Sequence, residues 1–96
     1  MKELLKDFDK AFENRTRLGI MSALVVNDSI DFNDLKDLLG VTDGNLASHL
    51  KSLEKREYIT YTKDFVGRKP NTNYIATTKG IKAFRKHINA IEQLLK

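Results

Sequence analysis

Apolar and polar positions recur with different periods along the chain, and each change of period marks an element. Leu4, Leu5, Phe8, Ala11 and Phe12 fall at helical spacing and predict a first short helix over Glu3–Phe12. Asn14 has the chemistry of an N-cap for a second helix, from Arg15 to about Val26, with Leu18, Met21, Ala23 and Leu24 on its core face. Asn27-Asp28-Ser29 reads as a turn and Ile30 as a very short strand. Asp31 caps a third helix, Phe32–Leu39, with Leu35, Leu38 and Leu39 inward. Gly40 ends it, and Thr42 caps the next. In that helix Leu46, Leu50 and Leu53 step by four and then three, forming one narrow apolar stripe.

The period then changes to two. Ile59–Phe65 alternates apolar and polar, and Thr72–Ala76 reads as a second strand. Between them lies V-G-R-K-P-N, with Gly67 and Pro70 as turn formers and Arg68 and Lys69 at the tip. A hairpin this small is marginal alone, so Ile59, Tyr61, Phe65 and Tyr74 are expected to pack it onto the helices. Thr77 caps a last helix, Thr78 to about Leu95. Its Ile81, Phe84, Ile88, Ile91 and Leu95 form a coiled-coil-like seam. That seam needs a partner helix. Leu4, Leu5, Phe8 and Phe12 of the first helix supply one, from the same or another subunit, so the two terminal helices are the expected dimerisation elements. The reading is a single domain over residues 1–96, mainly α with a small β-hairpin.

The outer face of the Thr42–Lys55 helix carries Gly44, Ser48, Lys51, Ser52 and Lys55, and no acid. Small and hydrogen-bonding side chains let a helix approach the major groove of DNA, and lysines hold phosphates. An ordinary amphipathic surface helix would also fit this stretch taken alone. Helix, glycine turn and second helix, however, make a helix-turn-helix arrangement. The run D-F-N-D-L-K-D-L-L-G-V-T-D-G-N-L-A-S-H-L-K-S-L-E resembles the DNA-binding core of the winged-helix regulators grouped as MarR-like and ArsR-like. The resemblance extends over roughly Asn14 to Ala90, and L-G-V-T-D-G-N-L-A-S-H-L is its most specific part.

The resemblance implies a winged helix-turn-helix fold and a dimeric, sequence-specific regulator bound to double-stranded DNA. The Thr42–Lys55 helix would enter the major groove, with Asn45, Ser48 and Ser52 as base readers and Lys51 and Lys55 on phosphates. The hairpin would be the wing, placing Arg68 and Lys69 on the backbone or in the minor groove. Asp43 either accepts from a cytosine amine or complements the helix dipole. His49 contacts phosphate or base, or packs half-buried. Arg17 opposes the dipole of its own helix, so it needs a partner, either a phosphate or a carboxylate of the domain. Two positions depart from the family pattern. Glu57 stands where glycine often closes the recognition helix in a left-handed conformation, so either the turn differs or the strain is tolerated. Thr78 replaces a frequent proline, while Gly80 keeps the family's T-x-x-G pattern.

Charge sharpens the picture. The net charge is only +4, but residues 51–87 hold 10 basic and 3 acidic residues, whereas residues 1–50 hold 6 basic and 9 acidic. A basic second half is the footprint of a polyanion binder. Cysteine is absent and only His49 and His87 offer imidazole, in different helices, so no metal site or thiolate chemistry is expected. No phosphate-cradling glycine motif and no nucleophile–base pair is present, which argues against an enzyme or a cofactor. The amphipathic, acid-containing N-terminus does not resemble a signal peptide, and no apolar run is long enough for a membrane; a cytoplasmic location is expected. Operator and small-molecule effector are not legible. The rival reading is a winged helix used for protein–protein contact without DNA, which would place large apolar residues on the outer face.

Overall fold

Side-chain caps, more than apolar periodicity, fix where the helices begin. In the computed structural model, which describes residues 1–96, α1 spans Lys2–Leu5 and a 3-10 turn spans Lys10–Phe12. Then follow α2 (Arg15–Val25), β1 (Ile30–Asp31), α3 (Phe32–Leu39), α4 (Asp43–Lys55), β2 (Ile59–Val66), β3 (Lys69–Ala76) and α5 (Thr78–Gln93). Asn14, Asp31, Thr42 and Thr77 each accept a backbone N–H of the following first turn. Each such cap contributes about 1 kcal/mol.

The continuous helix expected over Glu3–Phe12 is broken at Asp9. The Asp9 carboxylate accepts from Ala11 N at 2.9 Å and from the Tyr58 hydroxyl at 2.6 Å, while its backbone N–H donates to His87 Nδ1 at 2.9 Å. Those three bonds replace the helical ones and seat the N-terminal segment on α5. Burial, then the bond to Asp9, pushes the Tyr58 hydroxyl up to about 12.

The core lies between α2, α3, α4 and the sheet. Ile20, Met21, Leu24, Leu35, Leu46, Leu50 and Leu53 are fully buried, each worth about 1.5–3 kcal/mol relative to exposure. Phe12 stacks on Tyr58 at 5.5 Å and meets Phe84 edge-on at 5.4 Å. Leu38 does not point inward as expected. It is 65% exposed, because α3 leans its Leu39 side onto Gly19 of α2.

The sheet has the antiparallel order β1-β3-β2. Its hairpin turn is shorter than the sequence suggested. Val66 pairs with Lys69, leaving only Gly67-Arg68 in the turn, with Gly67 at φ 66°. Glycine in the first of two turn positions suits a type II′ hairpin. Pro70 is therefore in β3, opposite Phe65. It is tolerated because β1 reaches only Asn73 and Tyr74, so this end of β3 is an edge lacking a donor requirement. Ile59 and Tyr74 anchor the hairpin to the core, but Tyr61 is largely exposed and Phe65 wholly outside it.

The seam of α5 is also rotated from the expected one. Its buried residues are Gly80, Phe84, His87 and Ala90. Two small residues and a histidine do not read as core, which is why the isoleucines looked like the packed stripe. Phe12 and Phe84, expected at a dimer interface, lie in the core of one chain, and Phe8 packs edge-on to His87 at 5.2 Å. Ile81, Ile88 and Ile91 are half-buried, and Leu95 is exposed.

Candidate nucleic-acid interface

The α3–α4 turn is rigid for reasons that begin with single residues. Gly40 takes φ 64°, ψ 40°, and the Gly40 and Val41 amides both return to the Lys36 carbonyl at 2.9 and 3.4 Å. That left-handed closure is one only glycine adopts without strain. Thr42 Oγ1 then accepts from Asn45 N at 3.1 Å. Lys36 Nζ crosses the turn to the Asp43 carboxylate at 2.9 Å. The hydrogen bond and the charge of Asp43 raise the pKa of Lys36. Asp43 thus has a partner that the sequence did not reveal. Its carboxylate ties α4 to α3 besides complementing the dipole.

At its far end α4 closes through Glu57, which adopts the left-handed region at φ 62° despite its side chain. The strain is about 1 kcal/mol. It is held by Tyr58 N donating to the Leu53 carbonyl at 3.1 Å and by Thr77 Oγ1 donating to the Glu57 carbonyl at 2.7 Å. Gly80 completes this joint, lying directly against the Tyr58 carbonyl.

Between these closures, α4 presents Gly44, Ala47, Ser48, Lys51 and Lys55 to solvent. No large apolar residue of α4 is exposed. Ala47 was missed by pattern reading, because an alanine beside a leucine stripe counts as core. Asn45 is exposed and accepts from Thr16 Oγ1 at 3.3 Å, which orients its amide against α2. Ser52 is half-buried and bonded through its hydroxyl to Arg56, so it faces its own helix rather than a partner.

Arg17 and His49 form one unit. Arg17 Nε donates to the Ala11 carbonyl at 2.7 Å and its Nη2 reaches the Lys10 carbonyl at 3.4 Å. Its Nη1 lies 3.1 Å from His49 Nδ1. Arginine only donates, so Nδ1 must accept and the ring proton sits on Nε2. Within the chain Arg17 therefore finds its partners in backbone carbonyls and a histidine, rather than in a carboxylate. Arg15, two positions earlier, is the exposed cation at the start of α2.

Burial, then the Arg17 charge, lowers the pKa of His49. The unfolded chain binds this proton near pH ~6.5, the folded chain only below that. The His49 contribution to stability is therefore complete above pH ~6.5 and is lost as pH falls through the folded value. Lowering pH from 7 to 5 should reduce the urea midpoint more in the wild type than in His49→Gln, which keeps an acceptor for Arg17 but cannot titrate. Equal losses in the two proteins would contradict this coupling.

The wing stands apart from the core. Every residue from Thr60 to Pro70 is exposed, including Lys63, Arg68 and Lys69.

Residues 16–95 match the winged helix DNA-binding domain family. The chain belongs to that family. An uncharacterised protein of Methanocaldococcus jannaschii is 37% identical over 87 residues, spanning 91% of this chain and 95% of that one. The structure of a transcriptional regulator homologue from Pyrococcus horikoshii superposes with a TM-score of 0.85 at 26% identity, covering 98% of this chain and 91% of that one. MepR of S. aureus, solved in complex with DNA, shares the fold with a TM-score of 0.77 at 19% identity, over 99% of this chain and 81% of its own. The fold is that of the winged-helix transcriptional regulators, MarR type included. In winged-helix terms α3 and α4 are the helix-turn-helix and β2–β3 the wing. No helix is long and apolar enough to cross a membrane.

Proposed function

We propose that this chain is a homodimeric, sequence-specific regulator acting on double-stranded DNA in the cytoplasm, with α4 in the major groove and the wing on the backbone or in the minor groove. One observation carries the reading: the exposed stripe of α4 is small at its N-terminal end and basic at its C-terminal end, on a helix fixed at both ends. Gly44 and Ala47 allow close approach. The Ala47 methyl matches a thymine methyl, and the Ser48 hydroxyl and Asn45 amide meet base edges. Lys51, Lys55, Lys69 and Arg68 hold phosphates. Arg15 takes the phosphate role that Arg17 cannot fill while it holds His49 and the 3-10 turn. The dimer uses apolar residues on the adjacent terminal elements that the single chain leaves exposed, Leu5 and Leu95, or only half-buried, Leu4, Ile88 and Ile91. A protein-docking winged helix would need bulk on α4, where none is exposed.

The test is a gel shift with duplexes recovered by the protein from a random-sequence pool, at increasing salt. Log affinity should fall linearly with log salt, by about 0.9 per phosphate contacted. Ser48→Ala should relax preference at one position per half-site by about 1 kcal/mol, whereas Lys55→Ala should weaken all sequences alike. Failure to recover any duplex at low salt refutes the proposal.

The two arginines of α2 separate positioning from structure. Arg17→Ala removes a charged donor from half-buried carbonyls and should destabilise the fold by about 2 kcal/mol. Arg15→Ala should change stability by less than about 0.5 kcal/mol, yet lower affinity for every duplex. Urea melts beside the gel shift decide this; the reverse pattern would return Arg17 to the interface.

A further inference from the structure

We infer that the wing tip carries an apolar wedge, Phe65 backed by Pro70, that enters the minor groove, parts a base step and kinks the duplex. The inference rests on the DNA-binding reading above and adds a mechanism to it. Strand alternation places Tyr61, Lys63 and Phe65 on one face of β2, opposite Tyr74, Thr72 and Pro70 of β3. Near the base of the wing this face is self-covered. Tyr61 and Tyr74 lie 6.1 Å apart, and Lys63 Nζ folds back over the Tyr61 ring at 5.6 Å. Phe65 is beyond them, 72% exposed, with no aromatic or cationic neighbour. Val66, on the other face of the tip, is 69% exposed.

Neither side chain belongs to the core, and both lie on a hairpin whose sequence is basic. Ile59–Ala76 contains Lys63, Arg68 and Lys69 against one acid, Asp64. Asp64 is turned to Asn73 Nδ2 at 3.2 Å, on the face away from Phe65. An apolar residue on a basic hairpin complements a polyanion with stacked apolar bases between its charges. Only Gly67 and Arg68 form the turn beyond the Val66–Lys69 pair, so the ring lies one pair behind the end of the hairpin, close enough to follow it into a groove about 6 Å wide. Pro70 stiffens the ring's backing, because it has no side-chain freedom to lose. Side chains of this type, inserted between base steps, unstack them and bend the duplex towards the major groove.

The experiment uses the full chain and the duplexes it selects from a random pool. Equal-length duplexes carrying the site at the middle or at one end report bending by gel mobility. The same site with 2-aminopurine at successive positions reports unstacking by fluorescence. Wild type should bend the duplex and brighten one step per half-site. Phe65→Ala should bind about tenfold more weakly, lose most of the bend and the brightening, and keep the wild-type salt dependence. Phe65→Leu should recover much of the bend. Arg68→Ala with Lys69→Ala should instead flatten the salt dependence. Wild-type affinity, bend and fluorescence in Phe65→Ala would overturn the wedge while leaving DNA binding intact. A Phe65→Ala protein that unfolds, or that changes its sedimentation without DNA, would overturn it as well, by assigning the ring to the fold or to a second copy. A wild type that selects no duplex would end both readings.

Discussion

Gly80→Ala should lower the thermal midpoint by more than about 12 °C, reflecting about 3 kcal/mol or more in a domain of this size. An added Cβ would lie 2.0 Å from the Tyr58 carbonyl oxygen, 2.8 Å from its carbon and 2.9 Å from Tyr58 Cα. All three atoms are backbone, so no rotamer change relieves the clash. Nor can the backbone easily move. Tyr58 O accepts from Thr77 N at 3.0 Å, and Thr77 Oγ1 accepts from Gly80 N at 3.0 Å while donating to the Glu57 carbonyl. The exit of α4, the end of β3 and the start of α5 meet here, and separating any pair releases the others. Gly44→Ala is the control. Nothing lies within 4 Å of its added methyl, and alanine in a helix should gain about 0.5–1 kcal/mol over glycine. Circular dichroism melts of the two variants give the comparison. A Gly80→Ala midpoint within a few degrees of wild type would mean that the joint can open.

The other large effect concerns assembly. Ile88→Asp with Ile91→Asp should give a monomer whose affinity for selected duplexes falls by about 100-fold, because each half-site then binds without the other's avidity. An aspartate in an apolar contact leaves an ion without a partner, at a cost of several kcal/mol. Ile88 also touches the core of its own chain, so that pair could weaken the fold. Ile91→Asp with Leu95→Asp spares it and should separate subunits without changing the thermal melt of the isolated domain. Sedimentation velocity at micromolar concentration beside a gel shift measures both. A monomeric wild type at that concentration would dispose of the dimer.

Sequence reading succeeded where a cap and a period agreed. The α3 and α4 helices were legible to within a residue because Asp31, Gly40 and Thr42 punctuate the leucine pattern. It erred where partners come from afar. The period of Leu4, Phe8 and Phe12 is helical, but nothing local says that Asp9 serves Ala11, Tyr58 and His87 together. Pro70 read as a turn former because its tolerance depends on how far β1 extends. The site divides in the same way. The exposed stripe of α4 follows from 100° per residue. The withdrawal of Arg17, Asp43 and Ser52 into contacts within the chain does not, since each depends on the spacing between elements or on a rotamer. Arg15 and Arg17 are the same residue type two positions apart, and only the placement of the 3-10 turn decides which is free.

The bond from the Asp9 amide to His87 Nδ1 spans 78 residues of chain. Closing a loop of that length carries an entropy that grows only as the logarithm of its length. During synthesis the N-terminal segment emerges first, and its seat on α5 can form only once His87 has been made. Until then Phe8 and Phe12 have no histidine or Phe84 ring to pack against, and Tyr58 has no carboxylate for its hydroxyl. The same N-terminal segment supplies the Lys10 and Ala11 carbonyls that hold Arg17. The His49 ring beside the exposed stripe of α4 is thus braced, through Arg17, by a segment whose own anchor lies near the other end of the chain.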